Sequence, residues 1–600
     1  MSAASGWRSR STAHLIVFGA SLLVGLLPHG FAPIGSGLDD SWIAGLHHAF
    51  ATGARFGVDL IFTYGPWGLA SEPLAYAPTM PWVVAYQGVL RFLIAGALVG
   101  LIASGGGSRR YLATTIAAFL LLGPEPAIVA CWLWVLNEAK HDRAGSAWSA
   151  AAAGLLATGK GTQLWLGVLF AIWTAAINVR QRRFPLAGGV FVAVWTAAWL
   201  VAGQRLDDVA PSLTSALEIL RGYTAAMSVW TPYDWCALPC LIASLCIGAA
   251  VKLRFGWFAC LAAVVMGIAA VKIEYVRSGP DRAAKALASI LFIGLSATAA
   301  SRTVMSRPLI VALGIIVGTG CLLPLDNRWD GVFVHHLRRL DPTLGEWRLG
   351  FQRRETRERF AAAMTRPEFT IAMPSGATVD VAPHFQGVAV ASGWTYKPRP
   401  VFQSYQAYTR RLADLNAEFF ASPQAPDQIL ATVAPIDNRF APTDDGPCWR
   451  EWIRRYRIAE PAGLFVRLVK SDQPRRLQTK SIGEALRRFG ERWAPLAIDP
   501  QRGFLWAEID VAETALNRAA SLAYKTVRPT ISVDGHEGKE LVPELGRAGF
   551  VLSPAIDSME GLRRFIAREP AFAVQSVVVE ASPAFYGSTY RVRLYEIDVD

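Results

Sequence analysis

Asp39 and Asp40 stand side by side in the stretch Gly37-Leu38-Asp39-Asp40-Ser41-Trp42, directly after the first long apolar run of the chain. Adjacent carboxylates can divide labour. One accepts the proton of an attacking hydroxyl while the other orients it, or both present hard oxygens to a divalent cation such as Mg2+ or Mn2+. A little further on, Asp59-Leu60-Ile61-Phe62-Thr63-Tyr64-Gly65-Pro66-Trp67-Gly68 adds a carboxylate, aromatic faces and flexible backbone. Asp59, Tyr64 and Trp67 are therefore candidate substrate contacts. A plainer reading stands beside this one: the acids end the first span, and Asp40 caps an amphipathic helix over Ser41–Thr52. His47-His48 fall on that helix and read as surface or interfacial histidines, because no further ligands converge on them in sequence.

These residues need elements to hold them, and composition says of what kind. Of 600 residues 52% are hydrophobic and 18% charged, too apolar for a water-soluble chain of this size. The net charge of +12 does not point to nucleic acid, because the basic residues cluster in short segments between apolar runs. Cys131, Cys236, Cys240, Cys246, Cys260 and Cys321 lie in or beside apolar segments and only Cys448 lies elsewhere, so neither a disulfide framework nor a zinc site is spelled.

Apolar runs at Leu15–Phe31, Trp82–Ala103, Tyr111–Leu122, Ala127–Leu136, Ala147–Ala157, Leu164–Ile177, Leu186–Ala202, Trp235–Val251, Trp257–Val271, Ala283–Ala300 and Leu309–Leu325 predict an α-helical polytopic bundle of about eleven spans. Arg8 and Arg10 before an uncleaved first helix put the N-terminus in the cytoplasm. Alternate loops carry Arg109-Arg110, Lys140 with Arg143, Arg180 with Arg182-Arg183, Lys252 with Arg254, and Arg302 with Arg307, and the intervening loops are poorer in cations. This alternation predicts a bacterial-type inner membrane protein with a long external loop over 36–81 and everything after Asp326 outside. Several middle runs are shorter than the roughly 20 residues a bilayer requires, so tilted, broken or re-entrant helices are expected there. Pro124-Glu125-Pro126 marks one candidate re-entrant turn.

Residues 1–325 thus form the transmembrane domain. A basic linker with Arg338-Arg339 and Arg353-Arg354 leads into a mixed α/β region, 326–475, and then a β-rich region, 476–600, divided near Gln473–Thr479. Glu355–Met364 and Thr409–Phe420 read as helices. Phe504–Ala512, Thr530–Val533, Ala573–Glu580 and Tyr590–Val599 read as strands of a half-buried antiparallel sheet.

Membrane-embedded charge is the second constellation. Arg91 lies well inside its apolar run, and Lys160 separates two short ones; such residues face a cavity or partner, snorkel, or pair internally. Lys272-Ile273-Glu274-Tyr275-Val276-Arg277-Ser278-Gly279-Pro280-Asp281-Arg282 concentrates charge at a membrane face, and Lys272 and Arg277 are candidates for a lipid phosphate. The plainer account is a salt-bridged helix end. Gly154-Leu155-Leu156-Ala157-Thr158-Gly159-Lys160-Gly161 nearly spells a phosphate-binding loop, but Gly161 stands where Ser or Thr belongs and no strand precedes it. In the polar region, Tyr396, Arg399 and Tyr405 lie in a stretch dense in aromatics and amides that suits stacking on sugars, or else forms core and turns.

The acidic pair after the first span, the long first external loop, the span count and the strand-bearing external domain together resemble the GT-C superfamily of integral-membrane glycosyltransferases. The resemblance implies a polyprenyl-phosphate-linked sugar donor, a glycan, lipid or protein acceptor, Asp39 or Asp40 as general base, and an active site at the outer membrane face. The alternative is a non-catalytic assembly or export component of envelope polysaccharide whose external domain binds.

Overall fold

In a computed structural model the described residues are 34–103, 124–300, 307–322 and 371–600. The expected first span, Tyr111–Leu122, the linker and the helix Glu355–Met364 lie outside them.

In chain order the helices are α1 (Leu38–Thr52), α2 (Met80–Ala103), α3 (Pro126–Ala139), α4 (Arg143–Leu156), α5 (Gly161–Arg180), α6 (Leu186–Val201), α7 (Val209–Met227), α8 (Ala237–Tyr275), α9 (Pro280–Ala300) and α10 (Arg307–Leu322). The chain divides into two compact units. Among the described residues the first holds 64–204 and 229–322, and the second holds 34–63, 205–228 and 371–600. Segments 34–63 and 205–228, which fall inside 1–325 in sequence, thus belong with the C-terminal part.

The first unit is helical. Among the described residues three helices are long and apolar enough to cross a membrane: Met80–Leu98, Gly161–Arg180 and Pro232–Tyr275. A fourth is added if Leu186–Val201 and Leu206–Met227 are counted together. That is fewer than the eleven expected, of which Leu15–Phe31 and Tyr111–Leu122 lie outside the described residues, and Trp235–Val251 and Trp257–Val271 are the two halves of Pro232–Tyr275. The expectation counted apolar runs, and several of these make short helices: α3 and α4 have 14 residues each, about 21 Å at 1.5 Å per residue, against a core of about 30 Å.

α8 is not one rod. Gly256 sits at φ 81°, ψ −176°, outside helical space and in a region that favours glycine. A Cβ on Gly267 would strike the Ser244 side chain, and one on Gly248 would strike Val264. Both pairs are centred on Gly256, so the two halves fold back on each other as an antiparallel hairpin, with small residues where the backbones approach.

The second unit is rich in strands. β1 (Thr378–Ala382), β2 (Thr395–Tyr396), β3 (Gln428–Ala431), β4 (Tyr456–Ala462) and β5 (Phe465–Lys470) form a sheet ordered β2-β1-β3-β5-β4. β1 runs parallel to both β2 and β3, and the other pairs are antiparallel. Helix α11 (Gln386–Ala391) follows β1, α12 (Arg410–Ala421) precedes β3, and α13 (Gly446–Arg455) precedes β4. Thr409 Oγ1 accepts the Leu412 N–H and starts α12.

Beyond Lys470 come β6 (Leu477–Arg488), β7 (Arg492–Trp493), β8 (Gly503–Asp510), α14 (Ala515–Ala523), β9 (Thr530–Val533), β10 (Lys539–Glu540), β11 (Phe550–Ser553), α15 (Met559–Ala567), β12 (Val577–Glu580) and β13 (Thr589–Val599). They make two four-stranded sheets, β11-β8-β13-β6 and β10-β9-β12-β7. β8 is buried on both faces rather than one. Phe504 and Trp506 join a core with Phe420, Trp452 and Phe565, and Leu505, Ala507 and Ile509 join another with Trp493, Ile531 and Val577. The first core takes residues from both sides of Gln473–Thr479, so the two C-terminal regions share an interior.

Candidate functional site

In the first unit, charged residues from three helix ends converge. Glu125 immediately precedes α3, Lys160 immediately precedes α5, and Glu274 closes α8. Gln163, in the first turn of α5, donates its Nε2 to Glu125 Oε1 at 2.9 Å, and the Glu125 N–H donates to Ser289 Oγ at 3.0 Å. Glu274 is buried, with Arg282 at 3.8 Å, and it feels the charges of Glu125, Lys285, Arg282 and Lys160. Arg282 is thus the cation paired with Glu274, and Lys160 and Lys285 stand further off, near enough for their charge to be felt there.

The Tyr64-Gly65-Pro66-Trp67-Gly68 stretch packs against Thr158-Gly159-Lys160. The Gly65 N–H donates to Gly159 O at 3.0 Å and the Trp67 N–H to Thr158 O at 3.1 Å. Lys160 Nζ lies 5.2 Å from the centre of the Tyr64 ring, within cation–π range. A Cβ on Gly65 would stand 2.5 Å from Thr158 O, and one on Gly68 2.9 Å from Gly159 O. These glycines serve close approach of two backbones rather than flexibility. The near-match to a phosphate loop presents carbonyls to this stretch, the opposite polarity to a phosphate cradle.

In the second unit, α1 begins at Leu38 with Gly37 at its cap position, so Asp40 is not the cap as the local sequence suggests. Asp39 and Asp40 are both exposed in the first turn, where carboxylates complement the helix dipole. Asp39 Oδ1 accepts the Trp42 Nε1–H at 2.9 Å, and Asp40 lies against Gly35, where a side chain would overlap it. α1 packs on the C-terminal part. Gly45 lets Phe402 approach, and the His48 ring is 5.6 Å from that of Tyr396. His47 is fully buried, not a surface residue.

Comparison with family models and with curated proteins finds no match.

The remaining predicted residues divide between the units. In the first, Trp67 is only 4% exposed, stacks on Tyr86 at 5.1 Å and donates its indole N–H to Ala198 O, so its faces meet protein rather than an open site. Arg91 is partly exposed on α2. Lys272 and Arg277, also partly exposed, bracket Glu274, and the backbone of Arg277 bridges that of Val229.

In the second unit, Asp59 is exposed and its Oδ2 closes a local turn on the Arg55 N–H at 3.0 Å. Arg399 is fully buried and is not a sugar contact in this arrangement. Its guanidinium pairs with Asp380 at 2.7 Å and Asp445 at 3.0 Å, and it donates to Pro383 O and Ser404 Oγ. Burial opposes its charge, but the two carboxylates hold its pKa above the ordinary value. Tyr405 is buried, and its carbonyl accepts from Arg439. Tyr396 is buried, with no hydrogen-bond partner for its hydroxyl among the described residues. The aromatic stretch is core and turn.

Among the described residues no three His, Cys, Asp or Glu gather into a cation site. The Asp39–Asp40 pair supplies at most two carboxylates. Glu125 and Gln163 are site members that the sequence pattern does not single out. What signal there is lies in a carboxylate held between two prolines, and a lysine that interrupts apolar sequence three residues before Gln163.

Proposed function

We propose that this chain is a membrane glycosyltransferase that moves a sugar from a polyprenyl-phosphate donor to a glycan, lipid or protein hydroxyl on the external face of a bacterial-type inner membrane, with about eleven spans. The observation that carries the reading is the ionic cluster of Lys160, Arg282 and Lys285 with Glu125 and Glu274 at the helix ends of the first unit.

Glycosyl transfer needs two services. The acceptor O–H gives its proton to a carboxylate as its oxygen bonds to the anomeric carbon. The bond from that carbon to the phosphate oxygen breaks, and the phosphate leaves with the electron pair. Lys160, Arg282 and Lys285 meet that growing negative charge, with Lys272 and Arg277 on the same segment as Glu274. Asp39 or Asp40 is the proton acceptor that the GT-C resemblance implies. The same pair is the candidate holder of a divalent cation.

The test is sugar transfer from a lipid-linked donor by purified, reconstituted protein, with Asp39→Asn, Asp40→Asn and Lys160→Met variants. Loss of transfer with normal membrane insertion in Lys160→Met and in at least one aspartate variant is expected. Full activity in both aspartate variants removes the base assignment, and full activity in Lys160→Met removes the phosphate assignment. A second reading, an assembly or export component without catalysis, is favoured by the Asp39–Trp42 hydrogen bond, because a helix start already accounts for the acids. It predicts no accumulation of lipid-linked donor in cells lacking the protein.

A further inference from the structure

Two neighbouring helices of the second unit turn leucines outward. On α7 the inward face is fixed. Ser215 Oγ donates to Gly57 O at 3.3 Å, Gly222 leaves room for the Tyr408 side chain, and Ala226 O accepts from both Arg439 and Arg528. The outward face carries Leu217 and Leu220, and Leu206, 60% exposed, sits in the turn that leads into the helix. α14, which packs beside α7, is amphipathic in the reverse sense. It buries Asn517 completely, while Leu516 is exposed and Leu522 is 83% exposed. A water-facing helix normally shows the opposite pattern. Apolar area gathered in this way marks an interaction surface.

We propose that α7 and α14 dock on the surface of a lipid bilayer, with Leu206, Leu217, Leu220, Leu516 and Leu522 in the interfacial layer. Two observations select lipid over a protein partner. The chain enters this surface within a few residues of the apolar helix α6. Arg205, Arg221 and Arg518 are exposed alongside the leucines, and arginines at such a boundary reach to headgroup phosphates while their stems lie on apolar surface. Asp207 and Glu218 pair with the first two of these at 3.6 and 3.3 Å, so the leucines supply the larger share of the attraction. The inference does not rest on glycosyl transfer.

The test uses the full chain, with native cysteines replaced, reconstituted in phosphatidylglycerol–phosphatidylcholine vesicles. Single nitroxide labels are placed through Leu217→Cys, Leu516→Cys and Leu522→Cys, with Leu486→Cys on exposed strand β6 as the aqueous reference. Collisions with lipid-soluble oxygen are expected to exceed those with a water-soluble nickel chelate at the first three sites, and the reverse is expected at the fourth. Nickel-dominated collisions at all three overturn the proposal. Spin–spin broadening there shows a second copy on the surface and overturns it, as does shielding from both reagents, which shows a protein cover. A photoreactive residue at position 522 of the cysteine-containing chain gives an independent readout: lipid adducts are expected, and protein-only adducts overturn the proposal.

Discussion

Gln163 Nε2 donates to Glu125 Oε1 at 2.9 Å and so joins the residue before α3 to the first turn of α5. Gln163 is buried, and its loss leaves a carboxylate oxygen without this donor. Gln163→Leu should therefore lower stability by about 1–3 kcal/mol. Gln163→Glu should cost more, because it sets two carboxylates against each other. Thermal unfolding of the detergent-solubilised chain, followed by tryptophan fluorescence, checks both, and unchanged midpoints would show that the bond contributes nothing.

Gly256→Ala and Gly256→Val should both weaken the hairpin of α8. Nothing lies within 4 Å of a Cβ built there, so the penalty is backbone strain at φ 81° and not a clash. About 1–3 kcal/mol is expected for either, and as much for Gly256→Asn, since with ψ near 180° this is not the left-handed helical region that asparagine tolerates. The same unfolding measurement ranks the three, and a much larger loss for valine than for alanine would contradict the strain account.

Arg399→Met leaves Asp380 and Asp445 buried without their cation, an arrangement that typically costs 3–5 kcal/mol, here about that much. Arg399→Lys should also fail, because one ammonium cannot reproduce the fork that reaches both carboxylates, Pro383 O and Ser404 Oγ. Limited proteolysis across 371–600 reports the loss. Wild-type resistance in the methionine variant would show the triad to be dispensable.

His384 gives the second unit a dependence on pH. Burial lowers its pKa to about 4, with Arg399 acting in the same direction. Between pH 4 and the ordinary value near 6.5, the unfolded chain binds a proton that the folded chain refuses. Stability from this residue is therefore full above about pH 6.5 and declines as pH falls toward 4, by up to about 3 kcal/mol. Asp444 opposes it in part, since burial raises that carboxyl to about 6 against the pull of Arg439, and stability from Asp444 falls as pH rises from about 4 to 6. Urea unfolding of His384→Gln against wild type at pH 5 and pH 7.5 separates the two: the variant should lose less on acidification, and equal losses would exclude the histidine.

Local pattern made part of this legible in sequence. Thr409 before an amphipathic run marks the start of α12, and the alternation in 530–533 and 590–599 marks β9 and β13. The short strands β1, β2 and β3 are too brief to carry a pattern: β3 is apolar on three successive residues, and β1 alternates but buries its polar Asp380 as fully as its valines. β6 is exposed on both faces, so it too lacks the signal of a half-buried strand. The site was harder. Arg399 among aromatics looks the same in sequence whether it faces a sugar or two buried aspartates. Only the tertiary fold brings Asp380 and Asp445 to it, and only the fold brings Glu274 to Glu125 and Lys160.

The second unit is assembled from three separate pieces of chain, and this fixes an order of events during synthesis. Segments 34–63 and 205–228 leave the ribosome long before their partners exist. Until Tyr396, Phe402 and Tyr408 have followed, the inward faces of α1 and α7 have nothing to pack on, and Ala226 O waits longer for the guanidiniums of Arg439 and Arg528. A nascent chain arrested before these residues carries two helices without their packing partners, so the second unit cannot close until Arg528 has been added.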